Sequence, residues 1–170
     1  MTLTDLQPLE GWVALEKDIH ARAGIDASVF DINGIRITDY KKWVNRLCPV
    51  IKGNEKGQTF ICASAHQNIA VMAQNTKKPV VEECDAGMVK IVVPVFVKGA
   101  FIGGVGGCGM LLGEDTEVES FLVNKTTGID EEEIEALAEG IPRISEEDAQ
   151  ALGDYIEQRV AEIVSKYESA

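Results

Sequence analysis

The sequence predicts an α+β domain in which an antiparallel sheet of about five strands is flanked by N-terminal, internal and C-terminal helices. Two turn signals, Asn33-Gly34 and Lys98-Gly99, lie between runs of β-forming residues, and each predicts a hairpin of antiparallel strands. Apolar residues recur at helical spacing before the first hairpin and after the second. Strands in the middle of a chain with helices at both ends are typical of an α+β fold.

Length and composition limit the classes that the chain can belong to. We expect one domain over residues 1–170, with a core at about 27–112 and a helical C-terminal extension at about 115–170. The formal net charge of -12 argues against direct nucleic-acid binding, which needs a basic patch. No signal-peptide pattern and no apolar run of membrane-spanning length is present, so we expect a cytoplasmic protein with reduced thiols.

A helix and a hairpin are predicted first. Helical spacing of apolar residues runs from Pro8 to Ala23, and Gly24 suits the C-cap. The Asn33-Gly34 turn would pair strands at 28–32 and 35–38.

Two helices are predicted next, a short one over Tyr40–Ile51 and a long one over Gln58–Gln74. Cys62 and His66 lie four residues apart in the second helix, so we expect them to share one helix face.

The rest of the sheet is predicted from Val80 onwards. A strand begins there, and Lys90–Val97 forms a hairpin with Ala100–Gly106. Pro94 predicts an open edge or a bulge in the first hairpin strand. The second hairpin strand and its continuation are rich in glycine, which predicts a bulge or a close approach by backbone or ligand at Gly103, Gly104, Gly106, Gly107 and Gly109.

Three helices are predicted after Asp115. The first covers Val118–Val123, and Asp130 and Ser145 are the expected N-caps of the other two. The last helix has one continuous apolar stripe, which either packs on its own domain or meets a partner: Leu152, Ile156, Val160, Ile163 and Tyr167.

All the cysteines lie on separate predicted elements of the central stretch, as Cys48, Cys62, Cys84 and Cys108. No pair forms Cys-x-x-Cys, so zinc-ribbon and ferredoxin signatures are absent. Widely spaced cysteines can still converge on a metal or a cluster, with His66 as a further ligand. They can equally act as small buried apolar side chains.

Aromatic and acidic residues near the sheet are candidates for a small-ligand pocket. Phe30, Trp43 and Phe60 would form its apolar part, or plain core, and His66 would contribute a polar group. Asp31 and Asp85 could meet a ligand hydroxyl, although each flanks a turn and is equally explained by turn chemistry.

An ordered set of these motifs resembles the PocR-type sensory domain. The matching pieces are the Asp31-to-Gly34 turn, Cys48 at a helix end, Gly57 followed by Cys62, the Cys84-to-Gly87 element and the hairpin from Pro94 to Gly104, spanning about Ala27 to Leu112. The resemblance implies a PAS-like fold, a role in prokaryotic signal transduction and a small organic ligand such as a short diol.

The resemblance has two departures. Family members are usually fused to an output module, and none is present here, so the chain acts through a partner or is one domain of a longer product. Cys108 replaces a residue that we expect to be polar in many relatives, which makes a metal or iron–sulfur site more attractive.

Three hypotheses follow. The first is a non-enzymatic sensor of a small ligand that relays its state through the terminal helices to a signalling partner or within a homodimer. The second is a redox or gas sensor whose cysteines hold an iron–sulfur cluster, haem or zinc. The third is a small cysteine-dependent enzyme, for which the sequence contains no catalytic motif.

Overall fold

A computed structural model describes all residues 1–170 and shows an α+β fold with an open sheet and flanking helices. The strands are β1 (Asp26–Asp31), β2 (Val80–Glu83), β3 (Val89–Val97), β4 (Ala100–Leu112) and β5 (Arg143–Ile144). The helices are α1 (Leu3–Leu6), α2 (Leu9–Ala23), α3 (Leu47–Gly53), α4 (Glu55–Gly57), α5 (Ser64–Thr76), α6 (Ser120–Thr127), α7 (Glu131–Ala138) and α8 (Glu146–Glu168). A π-helical segment, Gln58–Ala63, precedes α5.

The predicted antiparallel sheet is confirmed, with β1, β4, β3 and β2 side by side in that order. The short β5 adds to the far end of β4 in parallel orientation. The second hairpin is also confirmed, with Lys98 and Gly99 as its turn. Pro94 lies beyond the end of β2, where β3 has no neighbour on that side and the missing N–H leaves no sheet hydrogen bond unmade.

Both faces of the sheet are covered by helices. On one face, alternate residues of β3 from Val89 to Val97 pack with β1 against α2 and α8. On the other face, Val92 packs against Ile69 and Ala73 of α5. Since side chains alternate along a strand, neighbouring residues of β3 contact different helical layers.

A separate apolar cluster lies beyond the end of the sheet. It joins α3, the π-helical segment, α6 and α7 around the last residues of β4 and is formed by Leu47, Ile51, Ile61, Ala86, Met88, Leu111, Val123, Ile134 and Ile141. Three cysteines (Cys48, Cys62 and Cys84) are half-buried against it. This cluster therefore holds the elements that carry most of the thiols.

The first predicted hairpin is only partly correct. β1 forms, but the 35–38 segment makes a single bridge, between Phe30 and Arg36, and does not continue as a strand. The side chains of Arg36 and Thr38 instead bind the carboxylate of Glu16. The segment still lies beside β1, because the Asp31 N–H donates to the Ile35 carbonyl at 2.9 Å and the Ile37 N–H donates to the Val29 carbonyl at 3.0 Å.

The predicted helix over Tyr40–Ile51 is wrong in its first half. α3 begins at Leu47 because the side-chain oxygen of Asn45 accepts a hydrogen bond from the Cys48 N–H at 2.7 Å. Such a bond satisfies one of the free N–H groups of a helix start. The chain from Tyr40 to Asn45 is thereby left non-helical.

The long helix predicted from Gln58 is present and extends to Thr76, but its first six residues are π-helical. A π-helical turn rotates the side chains before it relative to an α-helix and is frequent at functional sites.

The glycines of β4 allow close packing of protein groups. A Cβ on Gly106 would lie 1.7 Å from the carbonyl oxygen of Ile91 on the neighbouring strand. A Cβ on Gly103, which also has a positive φ of 157°, would lie 2.4 Å from the carbonyl oxygen of Phe30. The predicted close approach is therefore made by neighbouring strands at these two positions.

The C-terminal helices are part of the folded core. The apolar stripe of α8 packs on its own sheet through Leu152, Ile156 and Val160. The first of these helices begins two residues later than predicted, at Ser120. Ser145 caps α8 by accepting from the Asp148 N–H at 3.0 Å, whereas Asp130 occupies the N-cap of α7 without a side-chain bond. No helix combines the length and apolar character needed to cross a membrane.

Candidate ligand-binding cavity

A cavity of about 110 Å³ lies between the sheet and the layer formed by α3, the π-helical segment and the start of α5. All four cysteines line it. The convergence that the sequence left open is therefore present, and it joins four different parts of the chain.

Each cysteine is placed by a different local structure. Cys48 lies in the first turn of α3, and Cys62 lies in the π-helical segment. Cys84 follows β2 in a tight turn, where its N–H donates to the Met88 carbonyl at 2.9 Å. Cys108 lies on β4 between Asp26 of β1 and Lys90 of β3.

Burial holds three of the four thiols in the protonated state. Burial, followed by the influence of the other cysteines, raises the pKa of Cys48. Burial is also the main cause of the raised pKa of Cys62 and of Cys84. A catalytic cysteine needs the opposite, a lowered pKa that populates the thiolate.

Zinc, haem and an iron–sulfur cluster, the three cofactors suggested by the sequence, fit the cavity to different degrees. No three His, Cys, Asp or Glu side chains are close enough to hold one metal ion, so a single zinc has no ready ligand set. The volume is well below the roughly 300–1,000 Å³ of common ligand pockets and does not fit a haem. Four thiols are the donor set of a [2Fe–2S] or [4Fe–4S] cluster, and in a [4Fe–4S] cluster each cysteine binds a different iron.

Phe30 and His66 form one wall. Their ring centroids are 3.9 Å apart. Burial and the nearby positive charge of Lys90 lower the pKa of His66 to about 3, so the imidazole is neutral. Its Nδ1 is buried without a hydrogen-bond partner.

Four cationic side chains line the cavity, and they form two classes. Lys41 Nζ is 2.9 Å from Asp26 Oδ2, and Arg36 Nη2 is 3.1 Å from Glu16 Oε1. Lys52 and Lys90 also line the cavity, and neither forms a salt bridge. None of these cations was predicted as a site residue from the sequence, although the position of Lys90 within an apolar β run was an available signal.

Half of the six predicted ligand residues line the cavity and half do not. Phe30, Trp43 and His66 line the cavity. Asp31, Phe60 and Asp85 do not. The Asp31 carboxylate accepts from the N–H groups of Asn33 and Ile35 and so stabilises its turn, and Asp85 is exposed. Phe60 is 59% exposed, because its place in the π-helical segment directs it away from the sheet.

The shared face predicted for Cys62 and His66 agrees with the structure, because both side chains line the same cavity. Gly109 is the one glycine of β4 that lines it. A Cβ there would lie 2.8 Å from Val44, so this position is also closely packed by protein.

The sequence model of one protein family, described as the sensory domain found in PocR, matches residues 5–168. The match extends well beyond the 27–112 segment that carried the resemblance. No curated protein and no solved structure matches the chain significantly. The fold is consistent with a PAS-like sensory domain, and the family supports a ligand-sensing role in signalling. The chain belongs to the PocR sensory-domain family.

Proposed function

We propose that this domain senses a small molecule that binds in the cysteine-lined cavity. The observation that carries the proposal is a set of three buried polar atoms without hydrogen-bond partners, each on a residue that lines the cavity: Asp26 Oδ1, Gln58 Oε1 and His66 Nδ1. A buried polar group without a partner costs about 1–3 kcal/mol, so most proteins leave few of them. A molecule bound in the cavity would supply the missing partners of all three atoms.

The size and lining of the cavity restrict the ligand. The volume suits a molecule of few heavy atoms. Phe30, Trp43 and Met88 supply apolar contacts, and the polar atoms above would orient the ligand.

A route from the cavity to α8 is available through β3. Lys90 lines the cavity, while the next residue, Ile91, is buried in the cluster that contains Leu152 and Ile156 of α8. Ligand binding would shift the balance between two packings of α8 on the sheet. A partner protein, or a second copy of the chain in a homodimer, would detect the change at the exposed face of α8.

Ligand binding can be tested by a thermal-shift screen of short alcohols, diols and acids on the wild type and two variants. Ala63 lines the cavity, and Ala63→Leu would fill part of it. Ala161→Leu places the same side chain on the exposed face of α8 as a control. We expect a compound that raises the unfolding temperature of the wild type and Ala161→Leu but not of Ala63→Leu. The absence of any stabilising compound would contradict the proposal.

An iron–sulfur cluster is a second candidate, favoured by the convergence of all four thiols on one cavity. Purification without oxygen, followed by visible absorption and analysis of iron and sulfide, tests it. A cluster requires stoichiometric iron that is lost in Cys108→Ser and in Cys84→Ser. Colourless protein without iron, also after reconstitution with iron and sulfide, would leave the thiols as cavity lining.

A further inference from the structure

We propose that the ligand is a short hydroxy-carboxylate whose negative charge is bound by Lys52 and Lys90. This inference rests on the proposed function and adds the chemical class of the ligand.

The cavity has an excess of positive charge. Asp26 is the one acidic residue that lines it, and its carboxylate already pairs with Lys41. Arg36 pairs with Glu16. Two ammonium groups are left without a carboxylate, although the whole chain carries a net charge of -12.

Lys90 is the more unusual of the two, because the residue is only 7% exposed. Its Nζ lies 5.2 Å from the centre of the Phe30 ring, which offers a weak cation–π contact in place of an anion. A buried charge without a partner is strongly unfavourable. A carboxylate between Lys90 and Lys52 would remove that cost.

The unpaired acceptors add a second feature of the ligand. Asp26 Oδ1 and Gln58 Oε1 are both buried without a donor. An aliphatic carboxylate has no O–H or N–H to donate to them. A hydroxyl group on the ligand would supply a donor, which is why a hydroxy acid fits better than a simple fatty acid.

The test compares three probes of similar size: lactate, its neutral amide lactamide, and propane-1,2-diol. Affinities are measured by calorimetry on the wild type, Lys90→Met, Lys52→Met and Lys125→Met. Methionine keeps an unbranched chain but removes the charge. Lys125 is exposed on α6 and is the matched control.

We expect lactate to bind the wild type at least tenfold more tightly than either neutral probe. Lys90→Met and Lys52→Met should each weaken lactate binding at least tenfold, while Lys125→Met should leave it unchanged. Circular dichroism checks that each variant is folded. If Lys90→Met does not fold, the loss of lactate binding in Lys52→Met still tests the proposal.

The failures of the two proposals are distinguishable. Equal or tighter binding of lactamide or the diol would overturn the carboxylate inference and leave a small-molecule sensor. Failure of all probes, charged and neutral, together with a negative thermal-shift screen would overturn the sensor proposal as well. Stoichiometric iron and sulfide in protein that binds no carboxylate would assign the two lysines to the charge of a cluster and also overturn the inference.

Discussion

Arg36 and Glu16 form an ion pair in which Arg36 Nη2 lies 3.1 Å from Glu16 Oε1, with the glutamate side chain fully buried. The same oxygen accepts from the Val29 N–H at 3.1 Å and from the Thr38 hydroxyl at 2.6 Å. One carboxylate on α2 thus connects β1, the segment after it and a wall of the cavity.

Glu16→Ala is expected to lower the free energy of unfolding by about 3–5 kcal/mol, because the buried Val29 N–H and Thr38 hydroxyl lose their acceptor and Arg36 loses its carboxylate partner. Glu16→Gln keeps one acceptor oxygen and should cost less. Glu10→Ala, an exposed position on the same helix, is the control. Urea denaturation of the four proteins measures the differences, and similar values for Glu16→Ala and Glu10→Ala would contradict the role given to this carboxylate.

His66 should make stability depend on pH. Its pKa is about 3 in the folded protein and about 6.5 in the unfolded chain, so the unfolded chain binds more protons between these values. The contribution of the neutral ring to the free energy of unfolding is therefore fully present above pH 6.5. Below pH 6.5 it decreases by up to about 1.4 kcal/mol for each pH unit.

The variant His66→Phe keeps a ring against Phe30 and removes the titration. Unfolding free energies at several pH values between 4.5 and 7.5 measure the difference between wild type and variant. We expect the wild type to lose stability relative to the variant as the pH falls. A difference independent of pH would show that the ring is not buried in its neutral form.

Three of the four thiols should react slowly with alkylating reagents in the folded protein. Burial raises the pKa of Cys48, Cys62 and Cys84, and only the thiolate is an effective nucleophile. Iodoacetamide at pH 7.5 followed by mass spectrometry compares native with urea-unfolded protein. Rapid native modification of one of these three cysteines would instead favour the cysteine-dependent enzyme.

Gly106 should tolerate no side chain. A Cβ would lie 1.7 Å from the Ile91 carbonyl oxygen, so Gly106→Ala must separate β4 from β3 and should cost about 3 kcal/mol or more. Gly53→Ala is the control, since nothing lies within 4 Å of the added carbon at the end of α3. Thermal unfolding of both variants is the measurement, and equal effects would argue against the described strand register.

The two predicted N-caps should differ in strength. Ser145→Ala removes the bond from the Asp148 N–H and should cost about 1 kcal/mol. Asp130→Ala removes no side-chain cap bond and should cost less. Comparison of the two variants by urea denaturation tests whether hydrogen bonding, rather than residue type alone, gives the cap its effect.

Local patterns were sufficient for elements whose turns or periodicity specify them. The β3–β4 hairpin, α2 with its Gly24 C-cap and the Ser145 N-cap were predicted because the residues that start or end them are adjacent in the chain. The 35–38 segment pairs with β1 at one bridge only, and its side chains bind Glu16, about twenty residues earlier, which no local pattern predicts. The start of α3 depended on the bond between Asn45 and Cys48, which composition does not reveal.

The site residues also divide into those that local patterns predicted and those that depend on distant parts of the chain. Convergence of the four cysteines on one site was one of two alternatives that the sequence left open, and the spacing of Cys62 and His66 predicted that both lie on one helix face. The sequence by itself thus determined the α+β class and the family resemblance, because motifs, turn chemistry and periodicity act over short distances. Of the six predicted ligand residues, it identified three that line the cavity, Phe30, Trp43 and His66.

Only the tertiary structure decided which residues surround the cavity and which cations are left unpaired. Lys41 and Lys90 both line the cavity, but Lys41 pairs with Asp26 and Lys90 has no carboxylate partner. Phe60 and Phe30 are equally apolar, but only Phe30 faces the cavity. Pairing and burial depend on groups far apart in the chain, and sheet register and helix packing bring those groups together.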